Sequence, residues 1–332
     1  MSKSKIKLGN LTRPIMLIVV IIAMTIAKPG IFLTPNNFLS ILQAVCIYGI
    51  MGCGVIFVLL VGGMDLSIGS ICALSGSIAI MTTIRGNYSL GSLILGIMLG
   101  LLVGVICGFV NGFITYYFSI PFFVISLASK QVILGIVQIL THQQTILCVD
   151  SPYVTWLGSG RVLGVPFPII FFILCAIFFW FVLNRTKFGR YMYATGGNPV
   201  ATRYSGINSK MMGVTAYTLS GLMSGMAGIF LSCMNRQCVA TQGSGYDGDV
   251  LVALVVGGVS MTGGVGNIPG AVFGLVLIGI LKNAMVLLGI DSVYQDLLQG
   301  VIAITAVAID IYVQNRNSGV KKRRFALRKK TA

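Results

Sequence analysis

Lys130 is a cation inside an apolar run, 121–141. A lysine at mid-membrane depth costs roughly 3 kcal/mol on insertion scales, so it normally faces an aqueous cavity or a partner. Gln131, Gln138 and His142 fall seven and four residues apart on one helical face, with Lys130 adjacent. Gln295 and Gln299, four apart, form a second polar stripe. Amides carry donors and acceptors and suit hydroxyl-rich solutes. The stripes either line a solute path or hydrogen-bond between helices and hold a bundle together. Asp65, just before the run 66–84, is a candidate helix cap whose carboxylate accepts from the first free amides, with a gating contact as the alternative. Asn111 and Asn283 each follow a glycine-rich run and read as packing contacts, and Asp247 and Asp249 read as outer-loop residues.

The same inventory argues against an intramembrane enzyme. A metalloprotease needs a His-Glu-x-x-His type of ligand set, whereas the chain has one His and all seven of its acidic residues are Asp. The eight Cys lie mostly in apolar runs without metal-ligand spacing and read as small apolar residues. Cys148 and Cys238 are the candidates for a pair on the outer side.

The elements that carry these residues are membrane spans. Hydrophobic residues make up 56% of the 332, charged residues 9%, and the mean hydropathy is +0.95. Soluble domains carry about 25% charge, so an all-α polytopic membrane protein is expected. Crossing the hydrocarbon layer takes about 20 residues. Ten runs qualify, at about 14–33, 38–61, 66–84, 90–113, 121–141, 164–183, 211–233, 249–262, 268–288 and 294–313, the first interrupted by Lys28, Pro29 and Gly30 and the eighth short and running into the glycines after it. The first resembles a signal peptide but reads better as an uncleaved span, because both termini are basic and so both cytoplasmic, which requires an even number of crossings. Ten crossings put all but six of the 23 Lys and Arg inside, the six being Lys28, Arg85, Arg161 and Arg236 outside, with Lys130 and Lys282 in spans. The net charge of +16 sits at the termini and in one loop, which is the pattern of membrane orientation and not of nucleic-acid binding. The basic tail 314–332 reads as a stop signal beside anionic lipid.

Glycines recur at 96, 100, 104, 108 and 112, and again at 266, 270 and 274, leaving bare helix faces for close packing. A five-plus-five repeat would relate spans three and four to eight and nine, and five to ten. Because five is odd, the halves would be inverted.

The largest polar segment is the basic loop 184–210, expected inside. Asn198 is a favoured N-cap, Pro199 suits the first helical position, and Gly206 sits where a C′ glycine ends a helix. Val200 and Tyr204 share a face of these two turns, beside Arg203, and Gly196-Gly197 lets the chain turn into them. A helix this short needs something to dock on, either another protein or the bilayer surface.

Here the chain resembles a known family. Arg190-Tyr191, Ala194, Gly196-Gly197-Asn198, Ala201, Arg203 and Ser205-Gly206-Ile207 look like the cytoplasmic loop of the ribose/xylose-type permeases, membrane subunits of bacterial ABC sugar importers. Gly62-Gly63-Met64-Asp65-Leu66-Ser67-Ile68-Gly69-Ser70 is similar to a second motif. Gly245-Tyr246 through Asp249 with Gly257-Gly258 and Thr262–Gly266, and Leu287–Ile290 with Tyr294-Gln295, resemble two more. Together they cover most of 40–310 in the family's order. The chain departs from the pattern at Asp247-Gly248-Asp249, where the family usually has Glu-Leu-Asp, and at Lys130, near where it often carries an Arg.

The resemblance implies a type II ABC-importer-like fold forming one transmembrane permease domain over 1–332, in a bacterial plasma (inner) membrane, that passes a monosaccharide such as ribose, xylose or a galactose-like hexose. Implied partners are a second permease subunit, identical or related, an extracellular or periplasmic sugar-binding protein, and a cytoplasmic ABC ATPase, which binds ATP and Mg in place of this chain. Gly189, Arg190, Gly197, Asn198, Pro199, Val200, Arg203, Tyr204 and Gly206 would form the ATPase-coupling loop. The chain has no phosphate-binding Gly-x-x-x-x-Gly-Lys motif, and its acids read as lying outside mid-membrane, so its work is expected to arrive through that loop. The competing reading is a stand-alone secondary transporter or facilitator of a small polar solute.

Overall fold

The computed structural model describes residues 12–291 together with 293–295, 297, 298, 300, 301, 304 and 305. Its order is α1 (Thr12–Ala27), α2 (Pro35–Leu60), α3 (Ile68–Arg85), α4 (Leu90–Tyr117), α5 (Phe122–Thr141), β1 (Ile146–Leu147), α6 (Pro152–Ser159), β2 (Arg161–Val162), β3 (Val165–Pro166), α7 (Phe167–Arg185), α8 (Lys187–Gly197), α9 (Pro199–Tyr204), α10 (Ser209–Asn235), β4 (Gln237–Cys238), α11 (Tyr246–Val256) and α12 (Ile268–Leu287). Among the described residues seven helices are long and apolar enough to cross a membrane: α2, α3, α4, α5, α7, α10 and α12. The fold is therefore that of a mostly helical, multi-pass membrane protein.

Side-chain caps set where many of these helices start. Thr34, Ser89, Asn208 and Asn267 each accept a hydrogen bond from an amide in the first turn of α2, α4, α10 and α12 respectively. Such caps satisfy amides that no carbonyl can reach. The core is built on α2, buried without interruption from Val45 to Leu60, and on α10. Around them α4 and α7 turn Met98, Leu102, Ile177 and Phe178 outward, as lipid contact requires.

Glycine decides the packing of α4. Its buried face is Gly96, Gly100, Gly104, Gly108 and Gly112 with Leu93, Asn111 and Thr115. A Cβ at Gly96 would stand 2.6 Å from the Ala79 carbonyl oxygen of α3, one at Gly100 2.7 Å from that of Ser75, and one at Gly104 2.6 Å from that of Gly221 on α10. The backbones touch, so any side chain there forces the helices apart. Gly270 and Gly274 bring α12 against Gly257 and the α11 residue Ala253 in the same way.

Two of the apolar runs form short helices, as their glycines and proline imply, and one expected pairing is corrected. The run 249–262 is not one continuous helix: α11 has 11 residues, and the backbone turns at Gly257-Gly258, with Gly258 at φ +84°. The first run gives a helix of 16 residues, α1, followed by turns from Lys28 to Leu33, because Pro29 and Gly30 break it. Cys148 and Cys238 are free, buried thiols, Cys238 within β4, where it faces Ile146 of β1. Most of the tenth run, and the tail 314–332, lie outside the described residues.

Gly104→Val should lower the thermal stability of the purified protein by about 1–3 kcal/mol, the usual cost of overpacking. Gly91→Val, on the same helix with nothing within 4 Å of its Cβ, should leave it unchanged. Thermal unfolding of both variants in one detergent checks the contrast.

Candidate functional site

Two polar centres occupy the helix breaks. The first is built on Asp65, fully buried in the link between α2 and α3. Its Oδ1 accepts from the Ser67 amide (3.0 Å) and hydroxyl (2.6 Å), and its Oδ2 accepts from the Ser220 hydroxyl of α10 (2.8 Å). Asn111 of α4 donates to the Ser67 hydroxyl at 2.9 Å, and Ser129 of α5 donates to Asn111 Oδ1. Tyr217 donates to the Met64 carbonyl at 2.8 Å. The carboxylate thus ties the break to α10 directly, and to α4 and α5 through Ser67 and Asn111. Asp65 does not cap α3 in the expected manner: the N-cap is Ser67, and the carboxylate holds that residue's own amide, one position before the first turn.

The second centre is built on α11, and the sequence reading missed it. Asp247 and Asp249, expected in an outer loop, lie in the first turn of α11, each 7% exposed. Lys130 donates to Asp247 Oδ2 at 2.7 Å. Lys282 of α12 pairs with Asp249 and also donates to the Tyr48 hydroxyl at 3.0 Å. The Lys282 ammonium lies 4.9 Å from the centre of the Tyr48 ring and 6.0 Å from that of Tyr246, within cation–π range. The two lysines placed in spans thus find the two acids placed outside them. Two in-span lysines in a chain so short of charge were the available signal, because a cation in an apolar bundle calls for an anion.

The remaining candidates divide. Gln131 is exposed, on the outer surface of this single chain, and Gln138 is half-buried. His142 leaves the shared face: it is the left-handed C-cap of α5, at φ +52°, and exposed. Gln295 is half-buried and donates to the Ile290 carbonyl at 2.8 Å. Gln299 lies outside the described residues. Asn283 exchanges hydrogen bonds with Asn37.

The basic loop folds into α8 and α9, which follow α7, whereas α6 precedes it, so the two groups lie at opposite ends of that helix. Asn198 Oδ1 accepts from the Ala201 amide at 2.9 Å, Pro199 opens α9, and Gly206 at φ +82° follows the Ser205 C-cap. Val200, Arg203 and Tyr204 are exposed, Tyr204 at 90%. Arg190 is exposed on α8, and Gly189 lies against the Leu183 backbone. Gly196-Gly197 is helical and not a free turn: Gly196 packs on the Leu60 carbonyl and on Gly264. Gly264 donates its amide to Leu60 at 2.8 Å, and Tyr193 donates to the Gly266 carbonyl at 2.8 Å. Burial pushes the Tyr193 phenol above its ordinary value. The end of α2, the end of α8 and the segment after α11 therefore meet backbone to backbone.

Residues 37–307 match the family described as branched-chain amino acid transport system / permease component, and the chain belongs to that family. It is 37% identical to the ribose import permease protein of Bacillus subtilis (strain 168), over 89% of this chain and 90% of the relative. It is 33% identical to the L-arabinose ABC transporter permease protein of Azospirillum brasilense, over 87% and 84%. Identity to the D-allose transport system permease protein of Escherichia coli (strain K12) is 31%, over 85% and 86%. No solved structure matches the chain.

Removing Lys282 by Lys282→Met leaves Asp249 without its ammonium and should cost about 3–5 kcal/mol. The double change Lys282→Met with Asp249→Asn should recover most of that loss. A double-mutant cycle measured by unfolding in detergent checks both values.

Proposed function

We propose that this protein is the membrane-spanning subunit of an ATP-driven ABC importer and that it conducts a monosaccharide delivered by an extracellular binding protein. The observation that carries the reading is the agreement of several relatives: at 31–37% identity over most of the chain, they are named as permeases for ribose, arabinose and allose. The exposed end of α9 supports it. Val200, Arg203 and Tyr204 project from a helix whose base is pinned to the bundle, and Tyr and Arg are residue types that dominate the energetics of protein interfaces.

In this reading α8 and α9 form the seat for the ATPase, which binds ATP and Mg. Both termini are cytoplasmic, ten spans form a five-plus-five inverted repeat, and a second permease copy or relative completes the pathway. Lys130, Gln131, Gln138, Gln295 and Gln299 contribute polar groups to that pathway. The exposure of Gln131 on the single chain supports a lining role shared with the second permease.

The buried carboxylates of Asp65, Asp247 and Asp249 favour a second reading, a stand-alone transporter coupled to protons or sodium. They remove the sequence argument that no acid lies deep in the spans. Proteoliposome uptake separates the two. The importer requires the ATPase, ATP and the binding protein and survives collapse of the ion gradient. The stand-alone transporter fails on collapse and needs no partner.

The double change Arg203→Ala with Tyr204→Ala should weaken ATPase binding at least about tenfold, equivalent to the loss of 1.4 kcal/mol. Stability should stay unchanged, because both side chains are exposed. Co-purification and ATPase titration against the variant measure the effect.

A further inference from the structure

The helix α11 is joined at one end to the proposed ATPase seat and at the other to two ion pairs. At its C-terminal end the chain turns through Gly257-Gly258 and returns to the junction where Gly264 donates to the Leu60 carbonyl and Tyr193 to the Gly266 carbonyl. There Gly263 and Gly264 lie against Gly62, Gly196 and Gly197 with no side chain between them. Such a contact has no soft layer to absorb a displacement of α8. Three turns away, Asp247 and Asp249 fasten the other end of α11 to α5 and α12. Glycines at positive φ flank the helix, Gly245 at +81° and Gly258 at +84°. Glycine at both ends leaves the connections of α11 free to change conformation.

The two ion pairs are not equivalent. Lys282 and Asp249 have side-chain exposures of 22% and 7%, and the ammonium is also held by the Tyr48 hydroxyl and the Tyr48 and Tyr246 rings. Lys130 and Asp247 are more open, at 29% and 11%. Asp247 Oδ1 is buried, has no hydrogen-bond partner, and lies beside Gly69 at the start of α3. A buried carboxylate oxygen left unmatched marks an arrangement in which this group is not fully satisfied. Asp247 is thus held to α5 through Oδ2 alone.

We infer that Lys130 and Asp247 form a releasable latch. α11 pivots about the Lys282–Asp249–Tyr48 cluster, and parting of the latch opens the solute path between α11 and the middle of α5. The residues act by positioning α11 and need not touch the solute. The inference rests on the importer reading for what drives the motion.

The test uses passive efflux from vesicles and so needs no ATPase. Proteoliposomes holding the full-length chain alone are loaded with radiolabelled ribose, and efflux is compared for the wild type, Lys130→Met with Asp247→Asn, and the charge swap Lys130→Asp with Asp247→Lys. The neutral pair removes both charges together and so avoids an unpaired buried ion that would disturb folding. We expect it to elute and unfold like the wild type yet to leak about tenfold faster, the change that losing 1.4 kcal/mol produces. The charge swap should return efflux towards the wild-type rate. Efflux from the neutral pair equal to wild type would overturn the latch, as would a charge swap that leaks as fast as the neutral pair. Failure of wild-type uptake with the ATPase and binding protein present would instead count against the importer reading, so the two results are separable.

Discussion

The cost of leaving a carboxylate or an ammonium unmatched in an apolar interior governs this architecture. Such a group costs several kcal/mol after relaxation, more than any one packing contact returns. Among the described residues, three buried acids lie at the two places where helices are broken, and each has a partner. Asp65 is answered by hydroxyls and an amide, Asp247 and Asp249 by lysines. Irregular backbone inside a membrane is tolerated only where protein or water satisfies it, and the side chains at these breaks supply local partners. Ionic groups and broken helices therefore occur together for one reason: each makes the other affordable.

Bare backbone is the second recurring device. The column of glycines on α4 lets it touch α3 and α10, and the glycines after α2, at the end of α8 and after α11 make a junction of chain segments distant in sequence. In the first case the gain is dense packing where no hydrophobic force drives helices together. In the second it is rigidity across a contact between elements. That mechanical character makes the α8–α11 connection suited to carrying motion from the basic loop into the bundle.

Much of this was legible in the amino-acid order because the signals are local. The long apolar runs became α2, α3, α4, α5, α7, α10 and α12 with ends shifted by only a few residues, since length and hydropathy determine a span by themselves. Asn198, Pro199 and Gly206 could be read because caps involve neighbours only a few positions apart. The Asp247 and Asp249 assignments failed because a partner 117 or 33 positions away leaves no local trace. Hydropathy then assigns a charged turn to a loop. The Gly196-Gly197 reading failed for the same reason: a glycine that admits a distant carbonyl looks like one that merely turns the chain. His142 left its stripe because α5 ends one residue before it.

The burial of the thiols has a practical side. Cys46, Cys53, Cys72, Cys148, Cys233 and Cys238 are all enclosed, and Cys107 and Cys175 are only partly covered. A single cysteine introduced on α9 would stand out against this background to a water-soluble maleimide. Fluorophores or spin labels could then be attached there while most of the native sulfur stays shielded, and distances across the assembly could be followed in a chain close to its natural sequence.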